Sequence, residues 1–137
     1  NLGATAIGTS ICADLRFRQS STKHLAQITG LPVTAAPDPV AAMTDMGAYV
    51  STSAAVKNLA VHLKKAADDL RLLNSGPRCG FNDLNVPARQ AGSSIMPAKV
   101  NPVIPECVNQ CCFMIFGMDV TVNWAVAEGQ LQPGDGA

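Results

Sequence analysis

A chain of 137 residues has the length of one ordinary domain. Its composition, 47% hydrophobic and only 15% charged, excludes a disordered segment, which would show the opposite bias. Ten Lys and Arg balance ten Asp and Glu, so no basic field exists for nucleic acid or an anionic membrane surface. So few charges on so much apolar surface predict a chain that buries its faces within a larger assembly.

In chain order, the Gly- and Thr-rich stretch from Asn1 to Ser10 reads as a turn-forming loop. Ser21 and Thr22 are expected to cap a short helix ending at Thr29, with Gly30 as its left-handed stop. Leu31 to Pro37 reads as an extended connector. Asp38 and Pro39 then suit the N-cap and first position of a long helix running from Val40 to Leu73. Its apolar residues recur in steps of three and four: Val40, Met43, Gly47, Val50, Ala54, then Val56, Leu59, Leu63, Ala66, Leu70 and Leu73. That spacing predicts one buried stripe. A helix of roughly 50 Å would outreach a globule of this mass and so needs partner helices. Asn74-Ser-Gly-Pro77 ends it.

The stretch from Arg78 to Pro102 reads as a long loop, of a length that is usually functional inside compact proteins. Pro105 and Glu106 open a second apolar helix to about Ala127, expected to bury Val108, Cys111, Cys112, Ile115, Phe116, Val120 and Trp124. Its uncharged run from Cys107 to Met118 falls short of the roughly 20 residues a bilayer span needs, which predicts a buried helix and no membrane contact. No segment reads as a strand, so the expected fold class is all-α, a long-helix bundle with one important loop.

The five cysteines (Cys12, Cys79, Cys107, Cys111 and Cys112) are odd in number and include an adjacent pair, which fits no disulfide framework. Cys107 and Cys111 share a helical face but have no nearby histidine, so buried thiols are expected rather than a metal site. No basic region followed by an apolar run suggests a secretory signal, and a cytoplasmic location is expected. The chain opens at Asn1 and stops in Gln132-Pro-Gly-Asp-Gly-Ala137 without a closing element, which reads as part of a longer subunit.

The loop Gly92-Ser-Ser-Ile-Met-Pro-Ala-Lys-Val-Asn-Pro102 carries the chemistry. Lys99 and Asn101 together suit a small carboxylate, one supplying charge and the other a directed N–H. A serine beside such a site can act as a donor, a nucleophile or, if its alkoxide is stabilised, a base. Gly92, Pro97 and Pro102 give a hinge and two stiff points, as in a lid. On spacing alone, a polar surface loop with a solvated lysine remains open.

This loop resembles the GSSxMPxKxNP signature of the fumarase/aspartase superfamily at every fixed position. Leu2-Gly-Ala-Thr-Ala-Ile-Gly-Thr9, Asp69-Leu-Arg-Leu-Leu73, Ser75-Gly-Pro-Arg78 and Gly129-Gln-Leu-Gln132 also resemble that family. Val103-Ile-Pro-Glu-Cys-Val-Asn-Gln110 is more similar to its aspartate ammonia-lyases than to its fumarases. The resemblance implies that residues 1–137 are part of the central helical domain of a larger subunit, with the signature in a loop region at 75–104.

It further implies reversible elimination of ammonia from L-aspartate to give fumarate. Ser93 would be the base that removes the C3 proton, and Ser94 would hold the adjacent carboxylate with loop amides. Lys99 and Asn101 would bind substrate carboxylate, and Glu106 would pair with an active-site histidine from another segment. No metal and no organic cofactor is needed. The implied assembly is a homotetramer whose site draws on three subunits. Departures exist: the family's Gly-Thr-Gly-x-Asn stands here as Gly8-Thr-Ser-Ile-Cys12. The two upstream motifs that supply Thr, Ser and His groups have no match. His24 and His62 resemble neither motif and are assigned to exposed or helix-packing roles. A fumarase or other superfamily lyase, and a non-catalytic oligomerisation module, are the alternatives.

Overall fold

The computed structural model describes residues 2–130. Among them the chain is all-α, with no strand: α1 is Leu15–Thr29, α2 Pro39–Thr44, α3 Gly47–Leu73 and α4 Val103–Ala127. Residues 131–137, which include the second half of the Gly129–Gln132 segment and the tail from Gln132, fall outside the described residues. Two compact units divide the chain: Ser51–Thr121 forms one, and the remaining described residues form the other.

In the unit holding the N-terminal residues, α1 begins well before Ser21. Asp14 is its N-cap, accepting a hydrogen bond from Arg16 N (2.8 Å) and pairing with the Arg16 guanidinium. Ser21 and Thr22 are interior, and their hydroxyls donate one turn back to the carbonyls of Phe17 and Arg18. A cap is a local competition, and a charged carboxylate fixed on both the amide and the side chain of Arg16 outcompetes the hydroxyls. Gly30 stops the helix as expected, at φ 67°, with its N–H on Ala26 O (2.9 Å).

The single helix expected over Val40–Leu73 is two helices. Asp38 caps α2 through Val40 N and Ala41 N, as expected. Asp45 then takes an extended conformation (ψ 108°), and its Oδ1 accepts from Gly47 N at 2.8 Å. An aspartate side chain that bonds its own following backbone offers the chain an alternative to helix, and here it ends one helix and starts the next. At Ser10, where the resembled family has glycine, the backbone is left-handed (φ 56°) and the residue is 7% exposed. Its hydroxyl finds no hydrogen-bond partner.

In the Ser51–Thr121 unit, α3 and α4 run antiparallel, joined by a ladder of polar contacts. Arg71 reaches Glu106 (3.9 Å) and Asn109 Nδ2 donates to Asp68 (2.7 Å). Lys64 lies over the Phe113 ring, 5.7 Å from its centre. Lys57 and Ser53 both donate to the Asp119 carboxylate, at 2.5 and 2.7 Å. From Arg71 to Asp68 to Lys64 the steps of three and four on α3 match equal steps from Glu106 to Asn109 to Phe113 on α4, and the last step, seven residues to Lys57 against six to Asp119, stays within a helical turn. Ala60, Ala67 and Cys112 fill the buried positions between these rungs.

The expected buried stripe is therefore on the wrong face. Val56, Leu59, Leu63 and Leu70 are exposed, and so are Ala54 and Ala66. On α4 only Cys112 of the expected set is buried; Cys111, Val120 and Trp124 are exposed and Val108, Ile115 and Phe116 intermediate. The thiols expected to be buried are likewise exposed at Cys12, Cys79, Cys107 and Cys111. The periodicity was read correctly as helical, but small and polar side chains make the contact inside the chain and the large apolar ones point away from it. Among the described residues no large side chain is fully buried. α4 is also longer than its uncharged run, and by length and composition alone it could cross a membrane. The helix continues through Asp119 because Lys57 and Ser53 meet that carboxylate.

Two outcomes are expected. Lys57→Met should cost about 2 kcal/mol in urea unfolding, below the full penalty for breaking a buried pair because the lysine is half exposed. Adding Asp119→Leu should recover most of the loss, since no buried charge is then left without its lysine. Ser10→Gly should raise stability by about 1 kcal/mol by removing left-handed strain and a buried unsatisfied hydroxyl.

Candidate active site

The carbonyls of a helix's last turn have no partners within the helix. At the end of α3 the following loop supplies them: Asp83 N and Leu84 N donate to Leu73 O (3.0 and 3.4 Å), and Asn82 N donates to Ser75 O (2.7 Å). The Asn74 side chain accepts from Val86 N (2.7 Å). Gly80 passes so close to the Ser75 backbone that any side chain would collide with it. These bonds tie down the first half of the connection between α3 and α4.

The second half is the signature loop. Ser93 N donates to Lys99 O (2.9 Å) and Lys99 N to Met96 O (3.3 Å), closing a compact turn. The Ser93 hydroxyl oxygen sits inside it and accepts two backbone hydrogen bonds, from Ile95 N (3.2 Å) and Met96 N (3.1 Å). Two N–H dipoles aimed at one oxygen favour negative charge on it. A pocket of about 240 Å³ is lined by Gln90, Ala91, Gly92, Ser93, Lys99 and Asn101. Three of the expected site residues thus meet at one pocket, whereas Ser94 is exposed and lies off its lining.

Glu106 is elsewhere. α4 starts at Val103, two residues before the expected Pro105, which fits the first turn because a proline there forfeits no helical hydrogen bond. Glu106 in that turn lines a second pocket of about 250 Å³ with Arg71, Asn109, Gln110 and Phe113. Its charged neighbour within this chain is Arg71, in the last turn of α3. An acid at a helix start and a base at a helix end each complement the helix dipole. Neither His24 nor His62 lines either pocket, and both are exposed. Among the described residues no three His, Cys, Asp or Glu side chains gather as a metal site.

Asp68 anchors this second cluster. Lys64 contacts it at 2.5 Å, Asn109 at 2.7 Å and Arg71 at 3.7 Å. The Lys64 bond above all, then the Asn109 bond, holds its carboxyl below the usual carboxylate range. Arg71, Asp68 and Asn109 carried no role in the sequence reading. The available signal was matched spacing: Asp68 and Arg71 are three apart on α3, as Glu106 and Asn109 are on α4.

The chain is all-helical among the described residues, its antiparallel pair carries a serine–lysine–asparagine loop, and the family model described as Lyase matches residues 1–117. The chain belongs to the fumarase/aspartase family of lyases. It is 55% identical over 132 residues to the aspartate ammonia-lyase of Corynebacterium glutamicum and 54% identical to that of Escherichia coli strain K12. Each match covers 96% of this chain but 25% and 28% of the relative, so the chain spans about a quarter of their length. Among solved structures it resembles a fumarate lyase:delta crystallin from Brucella melitensis bound to cobalt, with 50% identity and a TM-score of 0.88 over 96% of this chain and 28% of that one. It also resembles the class II fumarase of Schistosoma mansoni, with 31% identity and a TM-score of 0.82 over 97% of this chain and 31% of that one.

The depressed Asp68 acidity fixes a sign. A carboxyl whose folded value lies below its unfolded one stabilises the fold above the unfolded value, and that contribution fades as pH falls through the folded one. The stability difference between the native protein and Asp68→Asn, measured by urea unfolding, should therefore shrink as pH drops below the ordinary carboxylate range. A difference that stays constant down to strong acid would show that Asp68 is not acting through its charge.

Proposed function

We propose that this chain is the signature-loop region of an aspartate ammonia-lyase, which eliminates ammonia reversibly from L-aspartate to give fumarate. The observation that carries this reading is the Ser93 oxygen, held by two backbone N–H groups in a pocket shared with Lys99 and Asn101. Kinship to ammonia-lyases, at higher identity than to the fumarase, favours an amino over a hydroxyl leaving group.

A C3 proton next to a carboxylate is very weakly acidic. Its removal becomes possible when the carbanion's charge spreads onto the C4 carboxylate oxygens and fixed donors meet that charge. Lys99 and Asn101 are the donors, with Ser94 joining them from the loop when it closes. A free serine hydroxyl is a poor base, and the Ile95 and Met96 amides favour its alkoxide once water is excluded. The alkoxide of Ser93 takes the C3 proton, the C–H electron pair forms the C2–C3 double bond, and the C2–N bond breaks to release ammonia. The chemistry calls for neither a metal nor an organic cofactor.

The loop is exposed from Gly92 to Val100, and Asn101 is its most sheltered site residue. That exposure supports a site completed by other regions of a larger subunit and by neighbouring copies in a homotetramer. The outward Leu59, Leu63 and Leu70 on α3 and Met114 and Met118 on α4 are the faces that other helices would cover. A cytoplasmic enzyme, packed helix on helix and not in lipid, is the setting this reading requires.

The 137-residue chain alone should produce no fumarate from aspartate, followed by fumarate's ultraviolet absorbance; turnover clearly above a blank would refute the shared site. In the complete subunit, Ser93→Ala should abolish both turnover and exchange of the C3 proton with solvent while aspartate still binds. Normal exchange by that variant would remove Ser93 from the base role.

A further inference from the structure

The second pocket, away from the signature loop, holds a charged group that the reaction as described leaves without a task. Arg71 stands between two carboxylates, 3.7 Å from Asp68 and 3.9 Å from Glu106. Asp68 is already occupied by closer partners, Lys64 and Asn109. The guanidinium is thus held in place by an anchored anion on its own helix and presents its remaining charge across to Glu106. Asn109 reinforces the arrangement: it is 5% exposed, it fixes Asp68 through Nδ2, and its Oδ1 finds no donor. Asn109 is among the residues that line the same pocket as Glu106.

We propose that Arg71 is a positioning residue: anchored by Asp68, it holds the Glu106 carboxylate in place at the start of α4 and partly neutralises it. The proposal rests on the reading above, in which Glu106 orients a histidine brought by another segment. Within that frame Arg71 limits how strongly Glu106 stabilises the protonated imidazole. The charged groups facing Glu106 among the described residues are Arg71 directly and, behind it on α3, Asp68 and Lys64. Removing the guanidinium leaves Glu106 with its full negative charge, which favours imidazolium. The limb of the rate profile that reports that imidazole then moves to higher pH, whichever protonation state the reaction uses.

The test uses the complete subunit with Arg71→Gln, Arg71→Lys, Glu106→Gln and the Arg71→Gln/Glu106→Gln pair, each checked for unchanged assembly by size. Arg71→Gln should move one limb of the kcat profile upward by about half a unit to one unit, with KM for aspartate within about twofold of the parent. Arg71→Lys should restore the parent profile, since it returns a positive charge. In the Glu106→Gln background, Arg71→Gln should cause no further movement, because the carboxylate through which it acts is gone. If Glu106→Gln moves the limb but Arg71→Gln does not, or lowers kcat equally at every pH, Arg71 has no positioning role. If Glu106→Gln itself leaves the profile unmoved, the histidine-orienting reading of Glu106 fails instead. Loss of assembly in Arg71→Gln with a normal profile in Arg71→Lys and a shifted profile in an Asp68→Asn variant, which frees the guanidinium from its anchor, would support the proposal by a second route.

Discussion

The register between α3 and α4 depends on a buried carboxylate. Asp119 is almost completely sealed off, and Lys57 and Ser53 reach it from the facing helix. A buried charge tolerates few arrangements, because leaving it without its partners costs far more than displacing an apolar side chain by one turn. Once Lys57 and Asp119 are matched, the helical period carries the register to the other end of the pair, where Asp68 meets Asn109 and Arg71 meets Glu106. Apolar contacts alone would not choose so sharply, since a leucine surface can slide by a turn at modest cost.

The same contact explains why so much apolar surface remains outside. Alanine and cysteine between the polar rungs let the two helices approach each other, and they occupy a face that the chain buries by itself. The leucines at 59, 63, 70 and 72 of α3 and the methionines of α4 are left exposed. A close helical pair with an apolar exterior is a component of a bundle, which accords with kinship to lyases about four times its length.

Much of the architecture was legible along the chain. Asp38 and Pro39 announce a helix start, Gly30 a helix end, and Asn74-Ser-Gly-Pro77 the close of α3, because caps and stops are set by residues within a few positions of one another. The site loop was legible for the same reason: Ser93, Lys99 and Asn101 are close in sequence, and a short turn brings them to one pocket. The break at Asp45 was not legible, since an aspartate in a proline-free run is equally compatible with a helix interior until its carboxylate bonds Gly47 N. Ser21 and Thr22 show the converse: good capping residues became interior ones because Asp14 had a better local partner.

Sequence by itself determined that the chain is helical, that it carries a serine–lysine–asparagine loop between two long helices, and that its apolar content exceeds what it can bury. These depend on propensity, spacing and composition, which are properties of neighbouring residues. Only the tertiary structure decided which helical face turns inward, and it selected the polar one. It also decided that Arg71 stands between Asp68 and Glu106. Arg71 and Glu106 lie far apart along the chain, and their meeting depends on the long-range match of Lys57 to Asp119, a desolvation energy that no local pattern encodes.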